Sequence, residues 1–142
     1  MQLLLDLSVN QDSEEHHKLG ALRAIGYACE ELDPDNTPGV SDNVLTAVVH
    51  NIKSESRTLR LAACNALRSS LDFCKKNFGV PDERKVLFDS ILSAVAGGDV
   101  EISVEALGIL VDVVGLYYSE VSAHIEQIFE VTLSAIKEAD EE

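Results

Sequence analysis

Residues 43–52 read NVLTAVVHNI, and the Val44-Leu45 pair inside them returns as Val86-Leu87 and again as Ile128-Phe129, each time 42 residues on. A second set keeps nearly the same step: Leu19, Leu61 and Val104; Ile25, Leu67 and Leu110; Cys29, Leu71 and Val114. A fixed apolar period of this length marks stacked helical hairpins of the HEAT or armadillo type, an α-α superhelix and not a closed globule. Such a stack presents long surfaces to partners, so function is expected on faces and grooves.

The breakers agree with the period. Proline occurs only at 34, 38 and 81, and Gly97-Gly98 follows a helical run. The spacing predicts a short helix over residues 1–9, a long one from Ser13 to Leu32 with Ser13 as its cap, then helices over 41–53, 57–77, 82–96 and 99–118, and a last one opening at Ser119 or Ser122. Asp99 is the expected cap of the sixth. The chain is therefore all-α, one domain over residues 1–142, with repeat parts at about 1–33, 41–77, 82–118 and 119–142. The first helix of each pair is an A helix, the second a B helix. Neither end has the polar face of a capping repeat, which predicts a piece of a longer solenoid.

Small residues line the B helices: Ala21, Ala63 and Ala106, joined by Gly26, Ala62, Ala66 and Gly108. Glycine in a helix interior costs roughly 1 kcal/mol against alanine. Gly26, Gly108 and Gly115 are thus expected where helices approach closely.

Charge narrows the partners. With 25 Asp and Glu against 11 Lys and Arg, the net charge is −14. Neither nucleic acid nor an anionic membrane is expected as a partner of so acidic a surface, and basic partners are favoured. No apolar run approaches the ~20 residues of a membrane span, and Met1 to Val9 lacks the basic start of a secretory signal. Cys29, Cys64 and Cys74 fit no metal spacing and read as buried, reduced thiols.

Catalytic sets are wanting. His16 and His17 are neighbours, so a helix turns them about 100° apart and away from a shared metal. His50 and His124 stand alone, Asp33 and Asp35 start no calcium-ligand ladder, and no phosphate-binding glycine loop occurs. The chain is not expected to be an enzyme, nor to hold a metal or cofactor.

The A helices carry more apolar surface than one buried face requires. On residues 82–96, Val86, Leu87, Ile91 and Ala94 fill an arc of about 140°, and Phe88, Leu92 and Val95 widen it to about 240°. Either stacking on both neighbours uses the surplus, or part of it lines a groove between adjacent A helices. Leu45, Thr46 and Val49 would form the other wall. Such grooves accept apolar anchors from a peptide.

Four stretches, AIGYACEELDP (24–34), NVLTAVVHNI (43–52), RLAACNALRSSLDFCKKNF (60–78) and LVDVVGLYY (110–118), resemble in sequence and order the importin-beta receptors of the karyopherin-beta family. The resemblance covers nearly the whole chain and places it in the N-terminal third of such a receptor, at roughly the fourth to sixth HEAT repeats. It implies a segment of a nuclear import receptor moving between cytoplasm and nucleus through the pore. Such receptors bind Phe-Gly nucleoporins on the outer A side. They bind basic import signals, or the importin-alpha adaptor, on the inner B side, and Ran-GTP releases the cargo. The family places one nucleoporin pocket between successive A helices. By motif, LTAVV supplies Leu45, Thr46 and Val49, and DERKVLF supplies Glu83, Val86 and Leu87. Val49 stands where isoleucine is usual and Val86 where phenylalanine is, which changes the pocket's shape and keeps it apolar. The loop before Arg57 is two residues shorter than the common pattern. The regions that hold much of the Ran surface and the family's acidic loop are not matched by this chain, so the resemblance implies poor binding of Ran and cargo by this chain alone.

On the B side, Glu30, Asp72 and Asp112 form a series of acids able to meet a basic signal, diluted by Arg57, Arg68 and Lys75. The alternative class is a HEAT scaffold such as a phosphatase regulatory subunit, which needs no apolar grooves on its A side.

Overall fold

The computed structural model describes residues 1–141. Helices α1 (Gln2–Val9), α2 (Glu15–Glu31), α3 (Val40–Ile52), α4 (Arg57–Ser69), α5 (Lys75–Phe78), α6 (Pro81–Val95), α7 (Val100–Leu116), α8 (Tyr118–Val121) and α9 (Ile125–Glu141) follow one another, with single 3-10 turns at 34–36 and 122–124. No strand occurs among the described residues. Glu142, the last residue of the predicted fourth repeat part, lies outside them.

The helices pair as the period requires. α1 packs on α2, α3 on α4 and α6 on α7 to form three hairpins. Their first members meet in one row, α1 with α3, α3 with α6 and α6 with α9. Their second members meet in another, α2 with α4 and α4 with α7. The apolar repeat positions bury in part: Val44, Ile25 and Leu67 are fully buried and Leu87, Leu110 and Leu71 nearly so, whereas Val86, Val104 and Phe129 are half or more exposed. The result is one continuous core from Leu5 to Tyr117.

Local chemistry sets the element ends. The Ile102 N–H donates to the Asp99 carboxylate at 3.1 Å, the cap expected from sequence. Ser56 accepts from the Leu59 N–H and caps α4, and Pro81 occupies the first turn of α6, where its missing N–H costs nothing. Gly39 and Gly98 turn the chain at φ 78° and 81°, a region that side chains disfavour. Ser13 does not cap α2: the helix begins after Glu14 with no side-chain cap.

The predicted helix over 57–77 divides. α4 ends at Ser69, residues 70–74 turn, and α5 follows. No proline or glycine marks the break. On a straight helix Phe73 would point about 100° away from Cys74. The turn lets Leu71, Phe73, Cys74, Asn77 and Phe78 all bury, and the buried Ser70 hydroxyl donates back to the Leu67 carbonyl. Phe78, expected in a loop, closes α5 and stacks on Tyr117 at a centroid distance of 4.6 Å.

Glycines divide by neighbourhood. A Cβ on Gly108 would stand 2.9 Å from the Arg68 guanidinium, the far end of a flexible side chain that could shift to admit it. A Cβ on Gly26 would meet Ala66 at an ordinary 3.5 Å, and one on Gly115 would meet nothing within 4 Å. At Gly108 the close neighbour is thus a movable side chain and not a helix backbone, at Gly26 the approach is mild, and at Gly115 there is none.

Candidate functional site

The stacked A row leaves a groove of about 600 Å³ between α3 and α6, within the usual size range of ligand pockets. Its floor is Leu45 and Leu87, 6% and 2% exposed, and its walls carry Thr46, Val49 and Val86. Val86 remains 50% exposed although Phe88, Ile91, Leu92 and Val95 on the same helix are buried. Stacking therefore uses most of the broad apolar arc of α6, and Val86 is the part left for the groove. All six residues named from the sequence, Leu45, Thr46, Val49, Glu83, Val86 and Leu87, line this one site.

Polar groups close its ends unequally. Asp42, Asp82 and Glu83 stand near the helix N-termini, where negative charge is favoured by the helix dipole. His50 and Lys53 stand at the other end, by the C-terminus of α3. Asn77 lies beneath the acidic end. Its side-chain nitrogen donates to Asp42 Oδ1 on α3 and to Glu83 Oε2 on α6, each at 2.7 Å. The sequence reading missed Asn77 because it fell at the end of a supposed straight helix over 57–77.

On the B row, Asp112 is not an open acid. It accepts from Arg68 Nε at 2.8 Å, and Glu105 accepts from Arg68 Nη1 at 3.4 Å. Arg57 bridges Asp99 and Glu101 in the same way, at 2.5 and 2.6 Å. The Arg57 guanidinium beside Asp99 holds that carboxyl below its usual range. Glu30 is exposed on α2; Asp72 is exposed too, but in the turn after α4 and not on a B helix. Arg57 and Arg68 thus stitch α4 to α7. A further hollow between α2 and α4, about 340 Å³, is floored by Gly26 and Ala66 and edged by Tyr27, which is 71% exposed.

The cysteines are free and buried. Desolvation pushes the Cys29 and Cys64 thiols up to about 11 and Cys74 up to about 12, so all three stay protonated and unreactive near neutral pH. His16 and His17 come closer than their spacing suggests. Their rings lie 4.1 Å apart at the start of α2, and with Glu14 they bring three possible ligand atoms within 4.8 Å, all on exposed side chains. His124 is not isolated: it stacks on Phe88 at 4.7 Å. No helix among the described residues is long and apolar enough to cross a membrane.

Two rows of paired helices with a groove between successive A helices define a HEAT-repeat solenoid. Within that class the chain is related to the importin-beta receptors. It is 34% identical to importin subunit beta-1 of Saccharomyces cerevisiae over 142 residues, 96% of this chain and 16% of the relative. The solved structure of Kap95p, the yeast importin-beta, with RanGDP matches 94% of this chain and 16% of that one, at a TM-score of 0.85 and 32% identity. A Kap95:Nup1 complex matches 93% of this chain and 16% of that one, at a TM-score of 0.81 and 32% identity. No family model matches the chain. The chain spans about a sixth of the length of these relatives. Importins are transport receptors and not enzymes.

Proposed function

We propose that this chain acts as part of a nuclear import receptor, moving between cytoplasm and nucleus, and that its α3–α6 groove receives the phenylalanine rings of Phe-Gly nucleoporins. One observation carries the reading: Val86 and Val49 keep apolar surface open above a buried floor of Leu45 and Leu87, in a stack that buries nearly every other apolar residue of α3 and α6. A relative of the same fold is known in complex with Nup1. Burying one phenylalanine ring gains roughly 1.5–3 kcal/mol. One site is then weak: a dissociation constant near 1 mM corresponds to about 4 kcal/mol, so the ring needs further contacts along the groove to reach even that. Several sites and many repeats together supply avidity while each contact stays short-lived.

The B row contributes a cargo-facing surface in this reading. Glu30 and Asp72 are the acids available to a basic import signal or adaptor arm, whereas Asp112 is already engaged by Arg68. Ran, bound by the Kap95p relative, is a partner of the whole receptor. A scaffold of the phosphatase-subunit type would leave the apolar groove without a use.

Replacing Val49 by Asp places a charge in the groove wall. Its affinity for a Phe-Gly peptide should fall beyond detection, with helicity measured by circular dichroism unchanged. Equal binding by the wild type and the V49D variant would remove the groove as the site.

A further inference from the structure

We infer that Asn77 is the strut that holds the two walls of the α3–α6 groove at a fixed separation, and so selects the size of side chain the groove admits. The inference rests on the groove being the Phe-Gly site. α3 and α6 meet each other only sparingly; α6 also packs on α5, and α3 is tied to α5 through the Asn77 side chain. From α5, one buried amide nitrogen, in a residue only 2% exposed, donates to Asp42 on one wall and Glu83 on the other. Arg84 of α6 adds a bond to the Phe78 carbonyl at 3.1 Å and fixes α6 on the same short helix.

Chemistry leaves Asn77 a single orientation. A primary amide has two N–H donors on one side and an acceptor on the other. Turning it over would set its oxygen against two carboxylates. The nitrogen therefore faces the acids, and Oδ1 is left buried with no hydrogen-bond partner among the described residues. A fold that leaves a buried acceptor unmatched gives up stability; here the same amide joins three helices. Without it, Asp42 and Glu83 would face each other as like charges with nothing between them, and the acidic end of the groove would spread. The other end, at Val49, His50 and Lys53, has no such tie between its walls among the described residues.

The test uses the whole chain with two short synthetic peptides, one bearing Phe-Gly and one Trp-Gly. The wild type should prefer the Phe-Gly peptide. In N77A Phe-Gly affinity should fall about fivefold, the weight of the lost hydrogen-bonded tether, and in N77D, which keeps the shape but sets a third carboxylate against Asp42 and Glu83, it should fall at least as far. The Phe-to-Trp preference should shrink at the same time, a change that simple loss of stability would not cause. Unchanged affinity and preference in both variants would overturn the strut. Side-chain amide NMR of Asn77 decides the matter independently of peptide binding. D42A and E83A should each shift the Asn77 amide protons, and no shift from either would also overturn it. Should the wild type bind neither peptide, the Phe-Gly reading falls, and the amide response alone judges the strut.

Discussion

At the residue scale, burial governs the chemistry of the thiols. Cys29, Cys64 and Cys74 are raised by desolvation to about 11, 11 and 12. A thiol whose pKa is raised on folding stays neutral in the folded chain and ionises first in the unfolded one. Stability from this source is complete below the unfolded value near 8.5 and declines as pH rises toward 11 and 12. Denaturant midpoints should therefore fall steadily above pH 9, and replacing Cys74 by Ser should flatten part of that slope. Native protein at pH 8 should resist iodoacetamide at all three positions, with full labelling in denaturant; rapid native labelling would contradict the burial. Leu67, fully buried where α4 meets its neighbours, should cost about 2–5 kcal/mol on truncation to Ala, read from chemical denaturation.

Between elements, the two seams of the B row are built differently. α2 meets α4 through Gly26 and Ala66, a close apolar contact. α4 meets α7 with its edges held by Arg57 and Arg68, the second lying over Gly108. These ion pairs are exposed, so salt should screen them. R57A and R68A should lower the melting temperature at low ionic strength, and the difference from wild type should shrink near 1 M salt, where the screening length is about 3 Å. A salt-independent loss would point to packing by the arginine stems instead. Much of this level was legible in the sequence. The period announced the hairpins, Asp99 announced its own cap, and the A-helix surplus pointed to the groove. The cross-repeat pairs were hidden in plain numbering: Arg57 and Asp99 are 42 apart, and Arg68 and Asp112 are 44 apart. Asking which charges stand one period apart would have paired Arg57 with Asp99; Asp112 stands two residues beyond that step from Arg68, so its pairing was harder to see. The break after Ser69 was not legible, because nothing local ends that helix; the need to bury Phe73, Asn77 and Phe78 together does. Asn77 was lost with it, and so was the polar strut beneath the groove.

For the whole molecule, the two rows serve different ends. In the A row, α3 and α6 hide nearly all of their apolar arc and leave one tied slot between them. The B row keeps its charges on the surface and uses two of its four arginines, Arg57 and Arg68, to hold repeats together. Weak, repeated binding of aromatic anchors suits the first arrangement. The most direct measurement is an NMR titration of this chain with a Phe-Gly nucleoporin segment. Fast-exchange shifts confined to Leu45, Thr46, Val49, Val86, Leu87 and the Asn77 amide are predicted, with a dissociation constant near 1 mM. Shifts gathered instead around Gly26, Tyr27 and Ala66 on the B row, or none at saturating peptide, would contradict the account.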